Sequence, residues 1–427
     1  MSTRGRACGF ALWLVVTAIT SNGWPADLPA TTPNYSLPDI IALTLERNPS
    51  VTWAQGLVDQ RVGQRVTAGA YPNPSINANS GHGEIRDAGR ADIAQSLSRQ
   101  SLTESNLTIG QPFEWPAKRA ARQRAAEAGL AGSTFGLVET RLNLTADVKV
   151  AFYDLLLALR DLELSKNNLG TVEDVRRIVG VRVRLGEAPQ FELIKAEVEV
   201  LKANQAVTRA ENSVRVNRVM LDTLTGGALG PVYQITGDFS VYPGSLNLDR
   251  LIAQAMEQHP TLLRLTKLVE QAGKTIEFER QARMPNITVN GGYVREIGRE
   301  AYVAGLTVPS PLWYQQQGEI AASLGAKRKE EAELLRMRNE LLRQINQYYQ
   351  ETQTTAKLIE VLEKGLLRQA EEALRIAKFS FQQGAASLLE VLDAQRVQRQ
   401  ILFDYAQARF ELSVALARLE RAVGGLL

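Results

Sequence analysis

The chain has 427 residues, of which 44% are hydrophobic and 6% aromatic, so it is long enough for two or three domains and a sizeable buried core. Its 49 basic and 46 acidic side chains give a net charge of +3 with both signs interspersed, which argues against a nucleic-acid partner. The abundance of Ala, Leu, Glu, Gln, Arg and Val favours long helices packed through small residues over a compact α/β enzyme.

Residues 1–26 are typical of a secretory signal peptide. Two arginines precede an apolar stretch, Cys8 to Ile19, that is too short to span a bilayer. Cleavage after Gly23 or after Ala26 is equally compatible with the pattern. Cys8 is the only cysteine, so the mature chain is expected to have no disulfide and no cysteine metal ligand. Residues 27–36 are expected to be an extended lead-in with no packing of its own.

Two long segments, residues 37–225 and 248–424, show the same succession of patterns about two hundred residues apart, which indicates a tandem duplication. In each segment a short helix is predicted to end at an X-Pro step, Asn48-Pro49 or His259-Pro260, because the residue before proline is pushed out of the α region. The Gly- and Pro-rich residues 226–247 between the two segments are expected to form a linker.

In each half the hydrophobic period then changes from helical to alternating. Alternation predicts one β-hairpin at about 286–309 and a looser one at about 74–113, each tall enough to cross a membrane as tilted strands. A single hairpin of this kind would favour a soluble domain, whereas two at matching places in an exported chain favour membrane strands. Four strands cannot close a barrel, so three protomers are expected to share one barrel of twelve strands.

Very long helices follow each hairpin. Trp115, Trp313 and Tyr314 lie at the strand-to-helix joints and are interpreted either as interfacial anchors or as packing at the joint. A helical stripe of about 65 residues ends at Phe381, with an irregularity expected at Gly365. Apolar stripes on two sides of the returning helix indicate neighbours on both sides. The predicted fold class is mainly α with a small β part: a long antiparallel, coiled-coil-like α-helical barrel plus a transmembrane β-barrel shared by three protomers.

Each pair of long helices is predicted to turn back at a tip that contains a glycine, the first tip near residues 186–192 and the second near 384–393. Glu390 and Asp393 of the second tip are three residues apart and share a helix face. Threefold symmetry would place six such carboxylates around one axis, a ring that favours cations. The alternative is that Ser387 and Glu390 form a capping box, in which Glu390 closes the start of the helix.

In combination, the exported duplicated chain, the paired hairpins, the X-Pro helix ends and the second tip resemble the TolC-like outer-membrane factor family of Gram-negative bacteria. The likeness covers nearly all of the mature chain. Residues 111–122, with Glu114 and Lys118-Arg119, look similar to the heavy-metal (cobalt-zinc-cadmium type) efflux branch, whose members often carry a Gln...Glu...Gly-Lys-Arg pattern there. This chain has Trp115-Pro116-Ala117 in place of the glycines.

The resemblance implies a homotrimer with a barrel in the outer membrane and an α-helical tunnel through the periplasm. The tips at Gly186 and Gly384 would dock onto a periplasmic adaptor and an inner-membrane pump of the resistance-nodulation-division type. Carried over by motif, the acidic gate of the closed entrance falls on Glu390 and Asp393, whereas the family's basic latch falls on Ala386. The residues considered as substitute latch or tip contacts are Arg182, Arg184, Glu187 and Glu192.

The expected function is therefore that of an outer-membrane exit duct of a tripartite efflux system, which passes metal cations or small toxic compounds. A type I secretion channel and a periplasmic coiled-coil adaptor or scaffold are the alternatives. The sequence contains no G-x-S-x-G, P-loop, dinucleotide or H-E-x-x-H motif, so an enzyme is not expected. His82, expected in an exposed loop, and His259 do not lie in a ligand-spaced cluster, so neither a metal site nor a cofactor is predicted.

Overall fold

A computed structural model describes residues 33–82, 103–296 and 299–426 of the chain. The predicted signal peptide, the first part of the lead-in and residues 83–102, which the sequence predicts to be a polar loop, lie outside the described residues. The helices are α1 (Leu37–Arg47), α2 (Pro49–Gly69), α3 (Pro116–Arg184), α4 (Gln190–Leu224), α5 (Leu248–Gln258), α6 (Pro260–Gln281), α7 (Gln317–Val361), α8 (Leu367–Gln382) and α9 (Leu388–Val423). The strands are β1 (Asn34–Ser36), β2 (Ser75–His82), β3 (Thr103–Phe113), β4 (Gln234–Thr236), β5 (Ile287–Glu296) and β6 (Arg299–Thr307).

Long helices dominate the molecule. α3 is one continuous helix of 69 residues, about 100 Å long at 1.5 Å per residue. Its counterpart in the second half is divided into α7 and α8 by a π-helical turn, Leu362–Leu366, so the irregularity expected at Gly365 is confirmed. α4 packs on α3, α3 packs on α9, and α9 packs on α7 and α8. None of the described helices is both long and apolar enough to cross a membrane.

The helices begin and end where local chemistry requires. α1 ends at Arg47 and α5 ends at Gln258, which confirms the two X-Pro helix ends predicted from the sequence. α2 and α6 then begin directly at Pro49 and Pro260. Proline suits the first position of a helix because the N–H group that it lacks would have no hydrogen-bond partner within the helix there.

The main core lies at the middle of the long helices. Val148, Phe152 and Leu155 recur on one face of α3 at spacings of four and three residues, and all three are buried. Linker residues complete this core, since Leu229, Tyr233 and Phe239 are also buried in it. The linker between the halves therefore packs against the waist of the molecule.

The lead-in does have packing of its own, so that expectation is wrong for residues 34–36. These residues form β1, which pairs in parallel with β4, with Tyr35 opposite Ile235. The Tyr35 ring also lies edge-on to the Tyr233 ring, at 6.4 Å between centroids. Strand β4 of the linker supplies backbone hydrogen-bond partners for residues 34–36, and the Tyr233 ring supplies an apolar contact.

The larger sheet is antiparallel and has the strand order β2-β3-β5-β6. Two hairpins, β2-β3 and β5-β6, come from the two halves of the chain, and the pairing of β3 with β5 joins them. Gly292 makes this pairing close: a Cβ atom there would lie 2.4 Å from the carbonyl oxygen of Leu107. The sheet leaves β2 and β6 as its two edges.

Candidate functional site

The four-stranded sheet carries apolar side chains on one face. The strand register places residues that are directly opposite one another on the same face, and successive residues on opposite faces. The apolar face consists mainly of Ile76, Ala78, Leu107, Ile109, Phe113, Ile287, Val289, Tyr293, Tyr302, Ala304 and Leu306. Many of these side chains are exposed; Leu306 is 70% and Tyr302 90% accessible. A soluble sheet would bury such a face against helices, and here it is open.

The opposite face of the sheet is mostly polar or small, with Pro112, Val294 and Val303 as its larger apolar residues. It carries Ser75, Asn77, Asn79, Asn106, Thr108, Gly110, Thr288, Asn290, Gly292, Gly305 and Thr307. Asn290 donates a hydrogen bond from Nδ2 to the Thr307 hydroxyl at 2.8 Å, across the second hairpin. Strands with alternating apolar and polar faces suit a sheet with lipid on one side and water on the other.

Aromatic residues mark both ends of the apolar face. Tyr293 and Tyr302 lie opposite each other at the end far from the helices, with ring centroids 5.6 Å apart. Phe113 lies at the other end, opposite Ile287. From Ile287 to Tyr293 the strand covers about 20 Å at 3.4 Å per residue. Aromatic side chains at both edges of an apolar band are typical of surfaces that meet both lipid and water.

A buried ion pair holds the joint between β3 and α3. Arg122 donates to both carboxylate oxygens of Glu114, at 2.6 and 2.9 Å, and the Glu114 side chain is only 3% exposed. The Nε atom of Arg122 also donates to the Ala68 carbonyl at 2.9 Å, which ties the joint to the end of α2. A bidentate pair of this kind fixes direction as well as distance.

The residues that resemble the heavy-metal branch pattern serve the same joint. Gln111 donates to the Pro72 carbonyl at 3.0 Å, and Lys118 donates to Asn286 Oδ1 at 3.3 Å. The Arg119 guanidinium lies 3.9 Å from the centre of the Tyr71 ring. These contacts connect the start of α3 to the helix-to-strand joints of both halves.

The joint tryptophans of the two halves differ in their surroundings. The Trp115 indole donates to the Pro285 carbonyl at 2.9 Å, so this residue packs at the joint. Trp313 is 90% exposed. Tyr314 donates from its hydroxyl to Glu319 at 2.6 Å.

The two tips lie together at the other end of the long helices and have the same backbone geometry. Gly186 and Gly384 have φ of +78° and +76°, in the left-handed region that favours glycine. The N–H of Glu187 donates to the Arg182 carbonyl, and the N–H of Ala385 donates to the Ser380 carbonyl, each at 2.8 Å. Both are six-to-one bonds that close the C-terminus of a helix.

A small apolar cluster joins the tips. Val175 and Val179 of α3 pack against Phe381, Leu388 and Val391 of the second tip. Arg182, one of the two arginines considered as a latch, lies with its guanidinium carbon 5.2 Å from the centre of the Phe381 ring. Its Nε atom is 4.0 Å from the carboxylate of Glu187, in the same tip. Arg184 is exposed, and Glu192 lies in the first turn of α4.

Glu390 forms the capping box that was considered as the alternative to a gate. The Ser387 N–H donates to Glu390 Oε2 at 3.0 Å, and the Glu390 N–H donates to Ser387 Oγ at 3.3 Å. Asp393, one turn later, accepts from Arg396 at 2.5 Å in an exposed pair. The protomer therefore uses Glu390 to start α9 and leaves the Asp393 pair at the surface.

An open groove of about 910 Å³ lies beside the tips, between α4 and α9, with α3 behind it. Phe191 and Ile194 line one side, and Leu389 and Leu392 line the other. Gln395 crosses from α9 to α3 and donates to the Asn168 side chain at 2.9 Å. No sequence pattern predicted this contact, because the two amides are 227 residues apart and no periodicity links them.

The histidines are far apart in the fold. His82 is the last residue of β2 and does not lie in a loop as expected. His259 is buried at the start of α6, where its ring and the end of α9 are hydrogen-bonded. Burial lowers the pKa of His259 below its usual 6.5. Within the described residues, no group of three or more His, Cys, Asp or Glu side chains could hold a metal ion.

Characterised proteins similar to this chain include metal-resistance and export proteins. The cobalt-zinc-cadmium resistance protein CzcC of Cupriavidus metallidurans is 24% identical over 386 residues, covering 90% of this chain and 88% of that protein. The pyoverdine export outer membrane protein OpmQ of Pseudomonas aeruginosa is 22% identical over 386 residues, covering 86% of this chain and 79% of that protein.

Solved structures share the fold. A membrane protein from Pseudomonas aeruginosa superimposes with a TM-score of 0.77 at 18% identity, over 97% of each chain. The CmeC outer membrane channel of Campylobacter jejuni gives a TM-score of 0.77 at 14% identity, over 91% of this chain and 85% of that one. The family model for outer membrane efflux proteins matches residues 40–227 and 251–425. The resemblance seen in the sequence is thereby confirmed, and the chain belongs to the outer membrane efflux protein family.

Proposed function

We propose that the protein is the outer-membrane exit duct of a tripartite efflux system and works as a homotrimer. The observation that carries the proposal is the sheet with one open apolar face, one polar face and two free edges. A sheet with free edges in lipid leaves backbone groups unpaired, and three copies of four strands would close a barrel of twelve. The polar face would then line the pore.

The long helices extend the same duct away from the membrane. α4, α3, α9 and the α7–α8 pair form a layer in that packing order. The outer helices of the layer keep large apolar side chains exposed, such as Leu201 and Val219 on α4 and Leu335 and Phe379 on α7 and α8. Neighbouring copies would cover these side chains and continue the layer into a closed α-helical barrel.

At the tips, Glu390 and Asp393 would form an acidic ring around the entrance, with Gly186 and Gly384 at the ends that meet a periplasmic adaptor and an inner-membrane pump of the resistance-nodulation-division type. Arg182 is favoured over Arg184 as the contact between tips, because its guanidinium lies over the Phe381 ring. Glu187 lies beside Arg182 and would steady it. Since Glu390 also caps α9, its two roles require separate tests.

The cargo is proposed to be metal cations or small toxic compounds. Likeness to a cobalt-zinc-cadmium resistance protein supports metal cations, and likeness to a pyoverdine export protein supports small organic compounds. A type I secretion channel would require protein cargo, and a periplasmic adaptor or scaffold would not need the open apolar face of the sheet.

Deletion of the gene and fractionation of the cell test the proposal. We expect detergent-extracted, heat-modifiable trimers in the outer-membrane fraction, and a deletion strain with raised sensitivity to cobalt, zinc and cadmium or to small toxic compounds. A water-soluble monomer in the periplasmic fraction would favour the scaffold. Loss of an exported protein without raised sensitivity would favour type I secretion.

A further inference from the structure

The joint after β6 differs from the joint after β3 in having large side chains that the protomer leaves open. In the first half, Trp115 and Glu114 are held at the joint by hydrogen bonds. In the second half, Leu312 and Trp313 are 69% and 90% exposed. Such exposure at the edge of a sheet indicates an unfilled contact surface.

The chain's own duplication indicates what fills it. Trp115 follows β3, and its indole donates to the Pro285 carbonyl in the joint before β5, which is the strand paired with β3. Leu312 and Trp313 follow β6 as Trp115 follows β3, although they come five and six residues after the strand instead of two. Pro72 occupies the place of Pro285 before β2. In an oligomer that closes the sheet, β6 of one copy pairs with β2 of the next.

The strand directions agree with this closure. β2 pairs antiparallel with β3, β3 with β5, and β5 with β6, so β2 and β6 run in opposite directions. The end of β6 and the start of β2 are therefore at the same end of the sheet. The residues that follow β6 in one copy would meet those that precede β2 in the next.

The receiving surface is exposed and already positioned. Tyr71 is 70% exposed while the Arg119 guanidinium lies over its ring. A ring held in this way can take a second aromatic side chain against its remaining surface at little cost in side-chain entropy. Ile76, on the edge strand β2 that follows this joint, is also exposed, at 68%.

We propose that the Leu312–Tyr314 segment of one copy packs on the Tyr71-Pro72 joint of the next copy, with the Trp313 ring against the exposed surface of the Tyr71 ring. Like the bond from Trp115 to Pro285 within one copy, the contact would join the connection after one strand to the joint before the neighbouring strand. This contact rests on the proposed homotrimer. It specifies which residues join neighbouring protomers at the end of the sheet where β6 ends and β2 begins.

Thiol cross-linking in a Cys8→Ser background, which contains no other cysteine, tests the contact. The pair Trp313→Cys with Pro72→Cys, treated with a short bis-maleimide, should give covalent dimers and trimers on a denaturing gel. Within one protomer three strand spacings, about 14 Å, separate β2 from β6, so a short linker reports contact between copies. Tyr71→Cys replaces Pro72→Cys if the proline variant does not fold.

Two further pairs calibrate the result. Trp115→Cys with Pro285→Cys should cross-link within one chain and leave a monomer on the gel. Trp313→Cys with Trp53→Cys should not cross-link, because Trp53 lies near the opposite end of α2. Both pairs use exposed or half-exposed tryptophans, so a difference in thiol accessibility does not explain a positive result.

Trimers that resist cross-linking through Trp313, together with quenching of Trp313 fluorescence by brominated lipid, would overturn the contact and identify Trp313 as a lipid anchor. The proposed exit duct would stand in that case. A wild-type chain that forms no trimer in detergent would instead overturn the homotrimer, and this contact with it.

Discussion

Asn48 and His259 make the same pair of contacts in the two halves of the molecule. Asn48 Oδ1 accepts from the Ser50 N–H at 2.8 Å, and Asn48 Nδ2 donates to the Leu224 carbonyl at 2.8 Å. His259 Nδ1 accepts from the Thr261 N–H at 3.2 Å, and its Nε2 lies 3.1 Å from the Arg421 carbonyl. Each residue caps the helix that follows it and binds the end of the last long helix of its half.

Acid should destabilise the second half through His259. Nδ1 can accept from Thr261 only when the ring is neutral, and burial keeps its pKa below 6.5 in the folded chain. The stabilisation is complete above about pH 6.5, the pKa of this histidine in the unfolded chain. It is lost as the pH falls through the lower pKa of His259 in the folded chain. Thermal unfolding of the detergent-extracted protein at pH 7.5 and 5.5 measures the loss.

The matched variant is His259→Asn, which copies Asn48 and does not titrate. It should show a smaller decrease in unfolding temperature between the two pH values than the wild type. His259→Ala should lose about 1 kcal/mol relative to the wild type at pH 7.5 and less at pH 5.5, where the wild type has itself lost part of the cap. Equal pH dependence in the wild type and in His259→Asn would contradict this account of the histidine.

Gly292→Ala should prevent the two hairpins from pairing. The added Cβ would lie 2.4 Å from the Leu107 carbonyl oxygen and 2.6 Å from Thr108 Cγ2, so β3 and β5 would have to separate. Gly291→Ala is the control, because nothing lies within 4 Å of its Cβ position. The fraction of heat-modifiable protein in the outer membrane should fall for Gly292→Ala alone. An equal loss in both variants would show that the close approach at Gly292 is not the cause, because alanine is otherwise favoured over glycine in a strand.

Removing the Glu114–Arg122 pair should weaken the joint between sheet and helices. Arg122→Met leaves a buried carboxylate without its partner, which we expect to cost roughly 2 to 4 kcal/mol, since Arg122 is about a third exposed. Arg124→Met is the control: it breaks an exposed pair with Glu277 and should change stability by less than about 1 kcal/mol. Denaturant unfolding measures the free energy of unfolding of both variants. Similar losses in the two would show that the Glu114–Arg122 pair stabilises the joint no more than an exposed ion pair does.

The proposed acidic ring at the second tip should control current through the proposed channel. Replacing Glu390 and Asp393 by alanine should raise single-channel conductance and reduce cation selectivity in a planar bilayer. The pair Glu390→Gln with Asp393→Asn removes the charge but keeps a side chain that can close the capping box.

If charge is what matters, the Gln/Asn variant should lose cation selectivity as the alanine variant does. If the capping box is what matters, only the alanine variant should show altered conductance and selectivity, because the first turn of α9 would fray without the cap. Asp174→Asn, in an exposed pair on α3, should leave the currents as they are. Unchanged currents in both double variants would refute a gate at these residues.

Sequence patterns were informative wherever the physical signal is local. The proline at 49 ends α1, and the helical stripe extends through α8 with the interruption at Gly365. The bonds that join distant segments carry no such signal. His259 and Arg421 are 162 residues apart, and Gln395 and Asn168 are 227 apart, so only the folded packing brings them together. For the tip, the sequence left gate and capping box as alternatives, and the protomer shows the box formed.

The parallel pairing of β1 with β4 has a consequence for how the chain can be divided. The first described strand acquires its partner only after about two hundred further residues have been synthesised, and Tyr233 and Phe239 enter the same core as Phe152. A fragment that stops at Leu224 would leave β1 unpaired and that core incomplete. Although the sequence predicts that the two halves arose from one repeat, the first half can complete the core at its waist only together with the segment that connects it to the second half.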